Sequence, residues 1–232
     1  VPSEIVKRLG KKVGRQRAMV AEGHLLLILH GVPDLDSKAR VGVFFWRKPS
    51  GEWESTARGG GLNSLRQHIN DYCVVEEKFG EMFWAARRAE DYFDILQGLA
   101  PLHHASVSLF DALQAAREGV PEDQDIIDLR DQAYDLQRTL ELAYSNAKVA
   151  LDYHMAKKAE EEARASAESV KAGNRLNTLA AIFFPLMTLA SVFGMNLKSG
   201  FEDWPIWMFW LTLSSGIVLG VVVQRCIARK GR

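Results

Sequence analysis

The sequence predicts a mainly α-helical membrane protein: a small cytoplasmic α/β portion, and a long stalk helix that continues into the first of two transmembrane helices. Three observations carry that reading. Residues 176–197 and 204–224 form runs of 22 and 21 residues without a charge. At 1.5 Å per residue each covers roughly 30 Å as a helix, the thickness of a hydrocarbon core. No proline interrupts the chain between Glu122 and Phe184, and the only glycine there is Gly173, just ahead of the first run. Strand-like sequence is confined to residues 15–58.

Composition excludes several classes of function. The chain has 232 residues, with 29 Lys+Arg against 29 Asp+Glu. A balanced charge argues against a basic nucleic-acid module, and basic residues are not interleaved with aromatics along one face. Apolar residues make up 47%, a globular rather than a disordered composition. Cys73 and Cys226 lie far apart and neither belongs to a Cys-x-x-Cys pair, so no disulfide scaffold or cysteine-built zinc site is expected. His24 and His30, and the adjacent His103 and His104, have no cysteine nearby to complete a catalytic metal site. No Gly-x-Ser-x-Gly, P-loop or His-Glu-x-x-His occurs, so the chain is not read as an enzyme.

The elements follow in order. Residues 1–61 form the strand-containing cytoplasmic portion, with apolar runs at Leu25 to Leu29 and Val41 to Trp46 and a third at Trp53. Gly31-Val32-Pro33-Asp34 and Pro49-Ser50-Gly51 supply turns. Three strands make a marginal sheet, so packing on helices is expected. Gly59-Gly60-Gly61 reads as a hinge. Residues 62–121 form a helical hairpin, its first helix running to Leu96 and breaking at Gly98 and Pro101, its second running from Leu102 to Glu118.

Residues 122–175 form the stalk. Ile126, Leu129, Ala133, Leu136, Leu140, Ala143, Ala147, Ala150 and His154 recur at 3,4 spacing, a heptad stripe. The charged segment from Lys157 to Lys171 is rich in Ala, Glu and Lys, which favour helix. One helix from Asp125 to Met195 is therefore predicted. A heptad stripe on a membrane-crossing helix calls for identical neighbours, so a homo-oligomer in a lipid bilayer is expected. Residues 176–197 and 204–224 are the spans, 198–203 an external loop, and 225–232 a basic tail. Lys171, Arg175, Arg225, Arg229, Lys230 and Arg232 flank the inner ends, while the loop holds one lysine against Glu202 and Asp203. Both termini are thus cytoplasmic. Trp204, Trp207 and Trp210 open the second span at the depth of an interfacial aromatic belt.

Polar residues in a membrane helix tend to face a bundle interior or a water-filled path. Leu176, Leu179, Phe183, Leu186, Ala190 and Phe193 make an apolar face of the first span. Asn177, Ala180, Phe184, Met187 and Ser191 make another, beside Asn174, Thr178, Ala181, Thr188 and Val192. Such clustering serves close helix packing or a pore, and both stay open. The second span carries only Thr212, Ser214 and Ser215 and reads as an outer helix.

The stretch Phe184-Pro185-Leu186-Met187-Thr188-Leu189-Ala190-Ser191-Val192-Phe193-Gly194-Met195-Asn196 resembles the CorA family of divalent-cation transporters. Gly-Met-Asn closes the first of two carboxyl-terminal spans, behind a long stalk and before a short acidic loop; the detailed similarity covers residues 122–232. The resemblance implies a homopentameric funnel in a bacterial inner membrane, with magnesium as the usual cargo and a pore lined by the first span. Gly194, Met195 and Asn196 carry over as the selectivity filter, and Glu202 and Asp203 as the acidic outer mouth. Met187, Phe184, Ala180, Asn177 and Gly173 carry over as pore-lining residues, with Phe184 and Met187 as a hydrophobic gate. Met187 departs from the family, where many members present a threonine ring. Asp128, Asp131 and Asp135 match the acidic stalk residues that bind regulatory metal between subunits; a solvated acidic face accounts for them equally well. No cofactor is implied beyond the transported or regulatory divalent cation, Mg²⁺ or alternatively Zn²⁺. A related zinc-transporting branch alters the middle residue of the tripeptide, which Met195 does not. The amino-terminal portion is smaller than the family's usual one. From another class, a two-span scaffold or sensor with a coiled-coil rod remains a competing expectation.

Overall fold

A computed structural model of the chain describes residues 1–10, 14–33, 41–57, 59–193 and 205–230. The elements are α1 (Ser3–Lys7), β1 (Arg17–Ala21), β2 (His24–His30), β3 (Gly42–Arg47), β4 (Trp53–Ser55), α2 (Gly61–Ala85), α3 (Ala89–Gly119), α4 (Gln124–Phe193) and α5 (Ile206–Lys230). They divide into two compact units, Val1–Lys157 and Lys158–Arg232, with the boundary inside α4.

The first unit is a four-stranded antiparallel meander in the order β1-β2-β3-β4, packed with helices. β2 explains the uninterrupted run Leu25 to Leu29. Leu25, Leu27 and Leu29 face the helices with Phe45, whereas Leu26 and Ile28 join Met19, Ala21 and Ile5 of α1 on the other side. A strand buried on both faces has no reason to alternate. The hairpin between β1 and β2 pairs Ala21 with His24 across Glu22 and Gly23, whose φ angles of 51° and 77° are those of a type I′ turn.

Three expectations are corrected here. Gly59, Gly60 and Gly61 are a turn rather than a hinge, with φ of 101°, 66° and 62°. A Cβ on Gly61 would stand 3.0 Å from the Trp53 carbonyl, so glycine is needed twice over. The helical hairpin turns at Ala86 to Arg88, not at Gly98 and Pro101, which lie inside α3. Gly98 is a contact point: the Phe79 ring of α2 fills the space a side chain would take. Pro101 removes the bond to the carbonyl of Gln97, an exposed residue whose oxygen solvent can satisfy. The true turn is fixed by Asp91, whose carboxylate accepts the Arg87 and Arg88 backbone N–H groups at 3.0 and 2.9 Å. Those two bonds, with the Arg88 guanidinium, hold its pKa down at about 2.

The third correction concerns the heptad stripe. Ile126, Leu129, Ala133, Leu136, Leu140 and Ala147 are buried in the same core as Leu27, Phe45, Leu65, Leu99 and Leu113. Ala143, Ala150 and His154 are half-buried, and the His154 ring lies 5.2 Å from that of Tyr92 on α3. The stripe is therefore spent within its own chain and gives no reason for an identical neighbour. α4 itself begins where expected. Asp123 Oδ1 accepts the Ile126 N–H at 3.2 Å as an N-cap, while its Oδ2 receives Arg47 Nε of β3 at 2.6 Å. One carboxylate thus starts the stalk helix and ties it to the sheet.

Candidate functional site

The second unit comprises α4 from Lys158 to Phe193, and α5. Residues 158–177 of α4 are exposed on every side. A polar helix without packing depends on propensity and local pairs, here Ala-rich sequence and the Arg164–Glu160 ion pair one turn apart.

Beyond that segment α5 covers one face of α4. Gly220 meets Ala181 and Ile182: a Cβ there would lie 3.1 Å from the Ala181 carbonyl oxygen and 3.2 Å from the Ile182 Cα. Gly216 and Gly220 are both buried, the small-x-x-x-small pattern that lets two backbones approach in a membrane helix pair. Pro185 adds a reason for the meeting point. It lacks the N–H that would bond the Ala181 carbonyl, and the Gly220 hydrogen in the Cβ direction points at that freed oxygen. Ile182 lies 11 residues before Phe193 and Gly220 lies 14 after Ile206, the register of an antiparallel hairpin. The sequence signal for this contact is the spacing Gly216-x-x-x-Gly220, which polar residues alone do not reveal.

The covered face holds Thr178, Ala181, Ile182, Pro185 and Leu186, all half-buried. Asn177, Phe184 and Met187 stand clear of α5, with Phe184 66% and Met187 64% exposed in the single chain. Ala180 is half-buried and Gly173 is exposed with nothing near it. Ser191 shares the open face, as do Leu179 and Phe183 of the wholly apolar set. Thr188, beside Met187, turns its hydroxyl back to the Phe184 carbonyl at 2.9 Å, which satisfies it without a partner helix. α5 leaves Ile206, Trp207, Phe209, Trp210, Leu211, Val218 and Val222 exposed as well.

Gly194, Met195, Asn196, Glu202 and Asp203 lie outside the described residues. Asp128, Asp131 and Asp135 line the exposed side of α4, opposite the buried stripe, and Asp131 pairs with Arg130 at 2.9 Å. Among the described residues no group of three His, Cys, Asp or Glu side chains could hold a metal ion within one chain. Among the same residues no helix is long and apolar enough to cross a membrane. The charge-free runs of the sequence extend past them, through 194–197 and 204 and through the side chains of Leu189, Val192, Leu219 and Val223.

Known structures with a similar fold include the following. Full-length CmaX matches with a TM-score of 0.52 at 16% identity, over 99% of this chain and 81% of its own. The ZntB cytoplasmic domain from Vibrio parahaemolyticus RIMD 2210633 matches with a TM-score of 0.51 at 14% identity, over 69% of this chain and 80% of its own. At these identities the likeness is one of fold. No protein-family profile matches the chain, and no curated protein matches it by sequence. The matched portion includes the small antiparallel sheet, the helical hairpin and the long helix.

Proposed function

We propose that the chain is one protomer of a homopentameric membrane channel that passes a divalent cation, Mg²⁺ before Zn²⁺, down its electrochemical gradient. The observation that carries this is the open face of α4: α5 packs on the other side and leaves Asn177, Phe184 and Met187 exposed, the residues that the sequence resemblance assigns to a pore. The apolar side chains exposed around the hairpin support a lipid environment, since so much contiguous apolar surface is unfavourable in water. The fold shared with CmaX and the ZntB cytoplasmic domain, beside the CorA resemblance of the sequence, supports the same reading.

In this reading the two spans are residues 176–197 and 204–224, with both termini cytoplasmic in a bacterial inner membrane. Mg²⁺ holds its water shell tightly and dehydrates reluctantly. A ring of Asn196 carboxamides and Gly194 carbonyls accepts hydrogen bonds from that shell without stripping it. Glu202 and Asp203 concentrate cations at the mouth. Met187 and Phe184 below form an apolar constriction that closes by dewetting and opens when the helices part. A divalent ion moving inward gains about 4.6 kcal/mol per 100 mV, so no nucleotide is required. Asp128, Asp131 and Asp135, exposed on α4, are in this reading the carboxylates that share a regulatory cation between neighbouring stalks.

Native mass spectrometry of the detergent-solubilised protein tests the assembly. Five copies are expected. Two or four would contradict the channel and favour the two-span scaffold.

A further inference from the structure

α2 buries Ser64, Leu65, His68, Ile69 and Tyr72 on the face it turns to the sheet. A histidine in the middle of such a face is unusual, and His68 is only 7% exposed. Its ring stands edge-on to Phe45 of β3 at 5.5 Å and tilts over Tyr72 at 5.8 Å. A hydrogen bond joins it to the backbone of His30 in β2, whose carbonyl also receives the Tyr72 hydroxyl at 2.9 Å. Nε2 has no hydrogen-bond partner among the described residues. The neutral ring leaves one acceptor lone pair unused there, whereas a protonated ring would place an N–H and a positive charge among aromatic rings with nothing to receive them.

We propose that His68 is an acid-sensitive latch between α2 and the β2–β3 sheet, wedged in place while neutral and expelled, with α2 released, when it takes a proton. The charged and titratable groups that face it are Asp71 and Tyr72 on its own helix and His30 from β2, while β3 contributes the uncharged Phe45. Burial is the largest influence and lowers its proton affinity in the closed form; Asp71 acts against burial but is outweighed, and a charge on His30 acts with it. In the released form the ring regains the ordinary value of 6.5. The released form therefore binds more protons below that value, and the closed form loses ground as pH falls through it, by up to about tenfold per unit. Above it the latch is indifferent to pH. The latch lies wholly in the first unit and stands whether or not the second unit conducts ions.

The test is amide hydrogen exchange on the full chain in detergent, with protection factors corrected for intrinsic exchange, at about pH 7.5 and about pH 5.5. Protection in α2 is expected to fall by about tenfold in acid. His68→Phe, which fills the same pocket without a titrating nitrogen, is expected to abolish that fall. An acid loss of equal size in His68→Phe, or none in the wild-type chain, overturns the latch. Where His68→Phe does not fold, the His68 ring resonances of the wild-type chain decide: a ring still neutral below about pH 6 supports the latch, and one that titrates at the ordinary value overturns it.

Discussion

Replacing Asn196 by alanine is expected to reduce Mg²⁺ influx into proteoliposomes by roughly 10- to 100-fold while leaving the assembly intact. A hydrogen bond to a charged partner contributes about 1.5–3 kcal/mol, and a hydrated divalent ion is such a partner. In a five-fold ring each substitution removes five carboxamide acceptors at once, and alanine offers none. Asn196 lies 14 residues along the sequence from Ile182, where Gly220 makes its contact, so the helix pairing is expected to be unaffected. Dye-reported flux under an inside-negative potential reads the effect. A Asn196→Ala protein that conducts Mg²⁺ like the wild type would remove the filter from Gly194–Asn196.

Gly220→Leu is expected to separate the hairpin. Even a methyl group at that position would meet backbone atoms of Ala181 and Ile182 at 3.1 and 3.2 Å, and backbone cannot rotate aside as a side chain can. Overpacking of this kind costs about 1–3 kcal/mol, and leucine adds three further carbons to place. The expected outcome is a lower thermal midpoint in detergent and loss of the assembled species. Gly80→Ala is the matched control: nothing lies within 4 Å of a Cβ there, and alanine in a helix interior stabilises by about 1 kcal/mol relative to glycine. Equal tolerance of Gly220→Leu and Gly80→Ala would mean that α5 does not pack where Gly220 meets α4.

The start of the long helix was legible to within a residue, Asp125 expected against Gln124 found, and the helix runs to Phe193, while the expected end at Met195 lies outside the described residues. The proline-free run from Glu122 to Phe184 marks most of its length, with Pro185 inside the helix, and the stripe from Ile126 to His154 gives its period. The destination of that stripe was not legible. Periodicity reports that a face is buried, not what buries it, and here the partners are α2, α3 and the sheet of the same chain. Gly98 and Pro101 misled for a related reason. Local propensity marks them as breakers, but Phe79 needs the space above Gly98 and solvent reaches Gln97. The actual turn rests on Asp91 with two arginines, outside the usual Ser/Thr capping signature. β1 and α1 are too short and too weakly patterned to stand out, and His68 gains its character only from Phe45 and His30, distant in sequence. Asn177, Phe184 and Met187 were legible as one exposed helix face. Its assignment to a pore came from the resemblance carried by Gly194-Met195-Asn196, and the structure adds that α5 leaves most of that face open.

Ion flux into proteoliposomes made with the wild-type protein, with Mg²⁺ and Zn²⁺ compared under an inside-negative potential, tests the central claim most directly. The account predicts Mg²⁺ influx that rises with the potential and needs no nucleotide. Zn²⁺ influx without Mg²⁺ would keep the pore and change its cargo. No flux of either ion from folded protein would contradict the channel.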